Sequence, residues 1–197
     1  MRLQETSIFF QKNRYRHYYL CHYLPLCSGI DTVSRSLLKF KHGAQPDLDS
    51  WIDRTLRGFR ETPVILPPGS IVIRALRHKE TRPIPDSPSS LDRLGQALSH
   101  QLDAPYLPHL LYKTRSTAVN QSLTRQQRTA ELQNVYQINP AAINAAATPP
   151  APNAAPTSIL LLDDILTTGA TILSILQTLH NAFPTCPVTI FTLAKTH

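Results

Sequence analysis

Residues 159–171 read Ile-Leu-Leu-Leu-Asp-Asp-Ile-Leu-Thr-Thr-Gly-Ala-Thr, and their reading decides the fold. Four consecutive apolar residues, Ile159–Leu162, suit a strand covered on both faces by helices. Two adjacent carboxylates, Asp163 and Asp164, follow at its carboxyl end, where open α/β sheets place their ligands. Burying one unpaired carboxylate is costly, and two side by side repel each other. A fold that keeps the pair there needs compensation from sugar hydroxyls, a metal ion or basic side chains. Thr167, Thr168, Gly169, Ala170 and Thr171 then open a helix. Small hydroxyl residues and a glycine let backbone amides converge on an anion, and the helix N-terminus adds partial positive charge. An anion receptor beside a carboxylate pair fits a ribose 5-phosphate, with the phosphate on the loop and the diol on the acids. In the competing reading the aspartates cap a turn and the threonines satisfy local backbone. That explains each piece singly but not all thirteen residues together. Neither G-x-x-x-x-G-K-[ST] nor G-x-G-x-x-G occurs, so two common nucleotide sites are absent.

Outward from this stretch, strand and helix patterns alternate. Ile71–Ala75 is a short apolar run ending in basic residues. Leu91, Leu94, Leu98 and Leu102 repeat at helical spacing behind Ser90, a candidate N-cap. Pro108–Tyr112 and Val135–Ile138 read as short strands. Ala170–Phe183 aligns Ile172, Leu176, Leu179 and Phe183 on one helix face, and Val188–Leu193 is a β-rich run. The pattern predicts an α/β domain with a mostly parallel sheet flanked by helices. Residues 61–197 form its core. Residues 1–60, with an aromatic-rich stretch Tyr15–Tyr23 and helical patterns at Asp31–Phe40 and Asp47–Phe59, are expected as an N-terminal extension or subdomain. Asn139–Thr157 holds eight Ala, five Pro and no charge, which forbids a continuous helix and reads as an irregular insertion between core strands.

Composition narrows the partners. The chain has 197 residues, 42% apolar and 17% charged, with a net charge of +7. That excludes a wholly disordered or fibrous chain and permits an anionic partner without choosing one. No apolar run approaches the ~18 residues of a bilayer span, so no membrane association is expected. The three cysteines, Cys21, Cys27 and Cys186, form no paired framework. With no secretory signal visible in the first residues, a cytoplasmic location is expected. The spacing of His17, Cys21, His22 and Cys27 matches no standard zinc arrangement, and an aromatic-rich strand is the better reading there.

Ile159–Thr171 resembles the phosphoribosyl-diphosphate-binding motif of the type I phosphoribosyltransferases: four apolar residues, two acids, then T-T-G-x-T. The resemblance implies that Asp163 and Asp164 hold the ribose hydroxyls as the catalytic acid pair. It implies that Thr167, Thr168, Gly169, Ala170 and Thr171 bind the 5-phosphate. It also implies Mg²⁺ bound with the diphosphate arm of 5-phosphoribosyl 1-diphosphate, with no direct protein ligand to the metal. Two further segments are similar to the ComF-like (competence protein F-like) branch: Leu37–Gly43, with its Lys39-Phe40-Lys41, and Lys113–Arg128. The two Cys-x-x-Cys pairs and the R-G-F-N-Q segment common in that branch are missing.

In the implied fold the loop after the first core strand meets the diphosphate, which makes Arg74 and Arg77 candidates; a solvated basic turn is the competing explanation. Lys113, Arg115, Arg125 and Arg128 are candidates for the mobile hood that closes over the sugar in related enzymes, or for contacts to phosphates of a larger partner; a solvated helix face is the competing explanation for Arg125 and Arg128. Thr167 stands where 6-oxopurine-salvaging relatives carry a basic aspartate, which disfavours hypoxanthine or guanine as acceptor. The implied activity is transfer of a phosphoribosyl group to a nitrogen nucleophile with release of diphosphate. The rival is a non-catalytic protein linked to DNA uptake, binding single-stranded DNA or competence proteins. Tyr15, Tyr18, Tyr19 and Tyr23 would then be candidate stacking residues. A homodimer is open under either reading.

Overall fold

The structure, a computed structural model, describes residues 2–24, 31–117, 127, 131–142 and 155–196. Its centre is a five-stranded sheet in the order β1 (Gln4–Phe10), β2 (Asn13–His22), β7 (Val188–Lys195), β6 (Ile159–Leu166), β3 (Ile71–Arg74). The β2–β7, β7–β6 and β6–β3 pairs are parallel, and β1 runs antiparallel at one edge. Beyond β3 the sheet gains one parallel bridge, Val72 to Tyr106. This is the mostly parallel α/β arrangement that the alternating pattern predicts.

The period-two alternation of β6 divides the core. Leu160 and Leu162 pack toward α1 (Thr32–Lys41), α2 (Asp47–Glu61) and α3 (Ser90–Leu102), against Leu37, Phe40, Trp51, Phe59, Leu94 and Leu98. Ile159 and Leu161 face the other way, onto Ile172, Ile175, Leu176 and Leu179 of α4 (Ala170–Ala182). All four are fully buried. Four apolar residues in a row are therefore what a strand between two helical layers requires.

Residues 1–60 are not an appended unit. β2 lies inside the sheet, in register with β7 from Arg16↔Thr189 to His22↔Lys195, while α1 and α2 build one of the two cores. The expected N-terminal extension is corrected to an integral part of the domain. The short strands β4 (Leu111–Lys113) and β5 (Tyr136–Ile138) pair only with each other, antiparallel, and cover the α4 face. The insertion therefore connects this hairpin to β6; residues 143–154 lie outside the described residues. Ser89, not Ser90, caps α3 in a reciprocal box with Asp92. Ser90 instead donates its hydroxyl to the Phe40 carbonyl.

Gly95 marks the closest approach of α3 to the Tyr106 strand. A β-carbon there would lie 2.4 Å from Tyr106 Cε2 and 2.7 Å from two further ring atoms. The ring has little freedom to retreat because its hydroxyl donates to Asp92 Oδ1 at 2.7 Å. Overpacking of this kind costs about 1–3 kcal/mol, and alanine returns about 1 kcal/mol of helix propensity. Gly95→Ala should lower stability by up to about 2 kcal/mol in urea unfolding; a higher midpoint would show that the ring moves freely.

Candidate functional site

The carboxyl ends of β3, β6 and β7 share one edge of the sheet. β6 ends at Leu166, whose carbonyl accepts from the Thr196 backbone amide at 2.9 Å, fixing the start of the loop. Gly169 then takes φ +75° at the N-cap of α4, a left-handed conformation that favours glycine. Its place lets the chain turn from strand to helix within three residues. The Ala170 amide reaches Thr168 Oγ1 at 3.5 Å. The next two amides, of Thr171 and Ile172, have no acceptor among the described residues. No acidic residue occupies the first turn of α4. Thr167, Thr168, Gly169, Ala170 and Thr171 thus present hydroxyls and open amides at a helix N-terminus, the local requirement for an anion receptor.

The two acids lie immediately before this loop, pulled back from bulk water. Each folds onto its own backbone: Asp163 Oδ1 accepts from the Asp164 amide and Asp164 Oδ1 from the Ile165 amide, both at 2.8 Å. Asp164 is only 16% exposed, and its Oδ2 meets Lys41 Nζ at 2.8 Å. Burial first, and the Asp164 charge second, push the Asp163 carboxyl up from the ordinary carboxylate range. Burial disfavours the Lys41 ammonium, but Asp164 and, less, Asp163 outweigh it and raise its pKa. The compensation that a buried aspartate pair demands is therefore a lysine at the last turn of α1. The resemblance of Lys39-Phe40-Lys41 carries no role for Lys41, because nothing local to that segment shows that the end of α1 meets Asp164.

The loop after β3 reaches the same lysine. Arg77 Nη2 donates to the Lys41 carbonyl at 2.5 Å, which closes the C-terminus of α1. The His78 ring is held below the ordinary imidazole range by burial, then by Lys79, Lys41, Lys113 and Arg77. Lys79, Lys41, Lys113 and Arg77 thus surround the His78 ring, and Lys41 joins this basic group to Asp164.

Arg74 does not belong to that group. It is 1% exposed, and all five of its N–H groups are used inside the protein. Nε and Nη2 bind Asp92 at 2.6 and 3.0 Å, Nη1 and Nη2 bind Glu80 at 2.8 and 2.5 Å, and Nη1 binds the Ala75 carbonyl at 3.0 Å. The expected diphosphate contact is corrected to a structural one, because no donor is left to offer a ligand. Glu80 also accepts the Arg77 amide at 2.9 Å, so the network forms the base on which the 75–80 loop rests.

Lys113 is likewise inside the fold. It sits on β4, 4% exposed, donating to the Arg77 carbonyl at 2.8 Å with its Nζ 5.3 Å from the centroid of the Tyr136 ring. Burial lowers its pKa to about 8. Its expected place on a mobile hood is corrected to a buried support beneath the basic loop. Arg115 is exposed and donates to the Glu131 carbonyl at 2.7 Å. Arg125 and Arg128 lie outside the described residues.

No protein-family model matches this chain, and no curated protein matches it either. Among solved structures it is similar to an adenine phosphoribosyltransferase from Leishmania tarentolae. The two share 15% identity over 88% of this chain and 82% of the other, with a TM-score of 0.40. Among the described residues, no helix is long and apolar enough to cross a membrane.

Proposed function

We propose that the chain binds 5-phosphoribosyl 1-diphosphate and transfers its phosphoribosyl group to a nitrogen nucleophile, as a type I phosphoribosyltransferase-like protein of the ComF-like branch. One observation carries the reading. A half-buried aspartate pair at the end of β6 runs within three residues into a left-handed glycine cap whose helix amides are open. The acids would take the ribose 2- and 3-hydroxyls, and residues 167–171 the 5-phosphate. Arg77, with His78 and Lys79 beside it, would face the diphosphate.

Displacement at the anomeric carbon builds positive charge on the sugar ring and negative charge on the departing group. Asp163 and Asp164 favour the first, and the cations of the β3 loop favour the second. Rate enhancement then comes from positioning and fixed charges. Asp163 and Asp164 offer hard oxygen atoms, the donor chemistry that Mg²⁺ accepts, and Mg²⁺ is commonly held by one or two carboxylates together with substrate phosphates. The phosphoribosyl reading places such a metal on the diphosphate arm of the donor. When bound there it would neutralise charge on the leaving group. Thr167 is exposed and has no basic function near neutral pH, so proton removal from the acceptor falls to another group.

The rival reading, single-strand binding on an aromatic platform, loses two of its four residues. Tyr18 and Tyr19 are 3% and 7% exposed and pack in the fold. Calorimetry should show the phosphoribosyl donor binding in the presence of Mg²⁺, and Asp164→Asn should weaken it about tenfold or more, about 1.4 kcal/mol. Equal affinity in both proteins would remove Asp164 from the site.

A further inference from the structure

Lys41 does two things at once in the free protein. Its ammonium neutralises Asp164 at 2.8 Å, and its carbonyl receives the Arg77 guanidinium at 2.5 Å. It therefore stands between the acid pair, where a sugar diol would bind, and the basic loop, where a diphosphate would bind. Its side chain is 40% exposed whereas that of Asp164 is 16% exposed, so the cation is the member of the pair with room to move. Asp164 Oδ1 is held by the Ile165 amide and the side chain is mostly buried, so a sugar hydroxyl approaches at Oδ2, where it competes with the ammonium. A neutral diol arriving alone would strand Lys41 near Arg77, His78 and Lys79, whose like charge or basic character offers no substitute. A ligand that brings its own anion to that loop supplies the missing partner.

Resting on the phosphoribosyl reading, we infer that Lys41 is a gate on Asp164. It occupies the carboxylate in the free protein and transfers to diphosphate oxygens when the sugar takes its place. Lys41 is thus a specificity-determining residue that makes the diol half of the site available chiefly to a sugar carrying an anomeric diphosphate. The same residue disfavours ribose 5-phosphate, which has the diol and the 5-phosphate but no anion for the gate. N-terminal helix α1 thereby contributes directly to selection of the donor.

The test is calorimetric titration of wild type, Lys41→Gln and Lys41→Arg with three ligands: the phosphoribosyl donor with Mg²⁺, inorganic diphosphate with Mg²⁺, and ribose 5-phosphate. Melting curves accompany each variant to show that it is folded. In Lys41→Gln the donor and diphosphate should each bind about tenfold or more weaker, while ribose 5-phosphate binds more tightly than in wild type; unchanged ribose 5-phosphate binding would make Lys41 a diphosphate contact and not a gate. Lys41→Arg, which keeps the charge, should stay within about threefold of wild type for the donor. An equal loss for all three ligands would overturn the gate by making Lys41 a simple support for Asp164. No change for any ligand would overturn it too, as would ribose 5-phosphate failing to bind both wild type and Lys41→Gln. Wild type binding none of the three would sink the phosphoribosyl reading itself, and the gate with it.

Discussion

Arg74→Ala should be the most destabilising single substitution considered for this protein, with a loss of about 3–5 kcal/mol in urea or guanidinium unfolding. The cause is what remains behind. Asp92 and Glu80 each meet the guanidinium through two oxygens, and Asp92 also accepts from the Tyr106 hydroxyl and the Ser89 amide. Burial alone would push the Asp92 carboxyl up, but Arg74 reverses this and holds it below the ordinary range. Burial also opposes the Arg74 charge, and Glu80 and Asp92 again outweigh it. Without the arginine, two carboxylates would share a space with no cation hydrogen-bonded to either, at the junction of β3, α3 and the basic loop. Arg74→Lys should recover little, because a compact ammonium has three donors and cannot span two carboxylates in a planar fork. A loss under about 1 kcal/mol for the alanine variant would mean that water or Lys113 replaces the guanidinium readily.

How far the sequence foretold this structure depends on the range over which each feature is encoded. β6, its acids and the glycine cap are written in thirteen consecutive residues, and both their conformation and their position at the sheet edge followed from local chemistry. The Leu91, Leu94 and Leu98 stripe of α3 was equally legible, since a helical period needs no knowledge of the partner. Arg74 reads as a free cation in the sequence because its two carboxylate partners lie 6 and 18 residues downstream. A sequence displays charges but not which of them pair. Lys41 and Asp164 are more than a hundred residues apart, so the compensation that the aspartate pair demanded could be required but not located. The place of β2 was hidden for the same reason: it pairs in parallel with β7, from the opposite end of the chain. Its hairpin with β1 gave no warning either. Gln11 and Lys12 form the turn with φ +46° and +66°, a conformation that Asn-Gly would have announced and this pair does not.

His17 supplies the second large effect, and it depends on pH. The ring is fully buried on β2, with Nε2 2.8 Å from Thr192 Oγ1. Because the Thr192 hydroxyl already donates to the Ala194 carbonyl at 2.9 Å, Nε2 carries the proton and donates. Nδ1 is then an unprotonated nitrogen, buried without a partner. Burial first, and the Lys195 charge second, lower the pKa from 6.5 to about 4. In the unfolded chain the imidazole takes up its proton near 6.5, whereas the folded protein resists until about 4. Between these values the unfolded state binds more protons, so stability falls as pH drops through the window. The full difference corresponds to about 3 kcal/mol. Asp163 acts with the opposite sign, because its raised pKa means that acid relieves a buried charge. Wild-type stability alone therefore mixes the two, and a comparison with His17→Phe separates them. The phenyl ring preserves the stacking on Tyr19, whose centroid is 5.5 Å from that of His17, and leaves the Thr192 donor satisfied. Denaturant unfolding at pH 7, 6, 5 and 4 should show the variant gaining on wild type by up to about 3 kcal/mol across the series. A constant difference at every pH would show that His17 is protonated as readily in the folded protein as in the unfolded one.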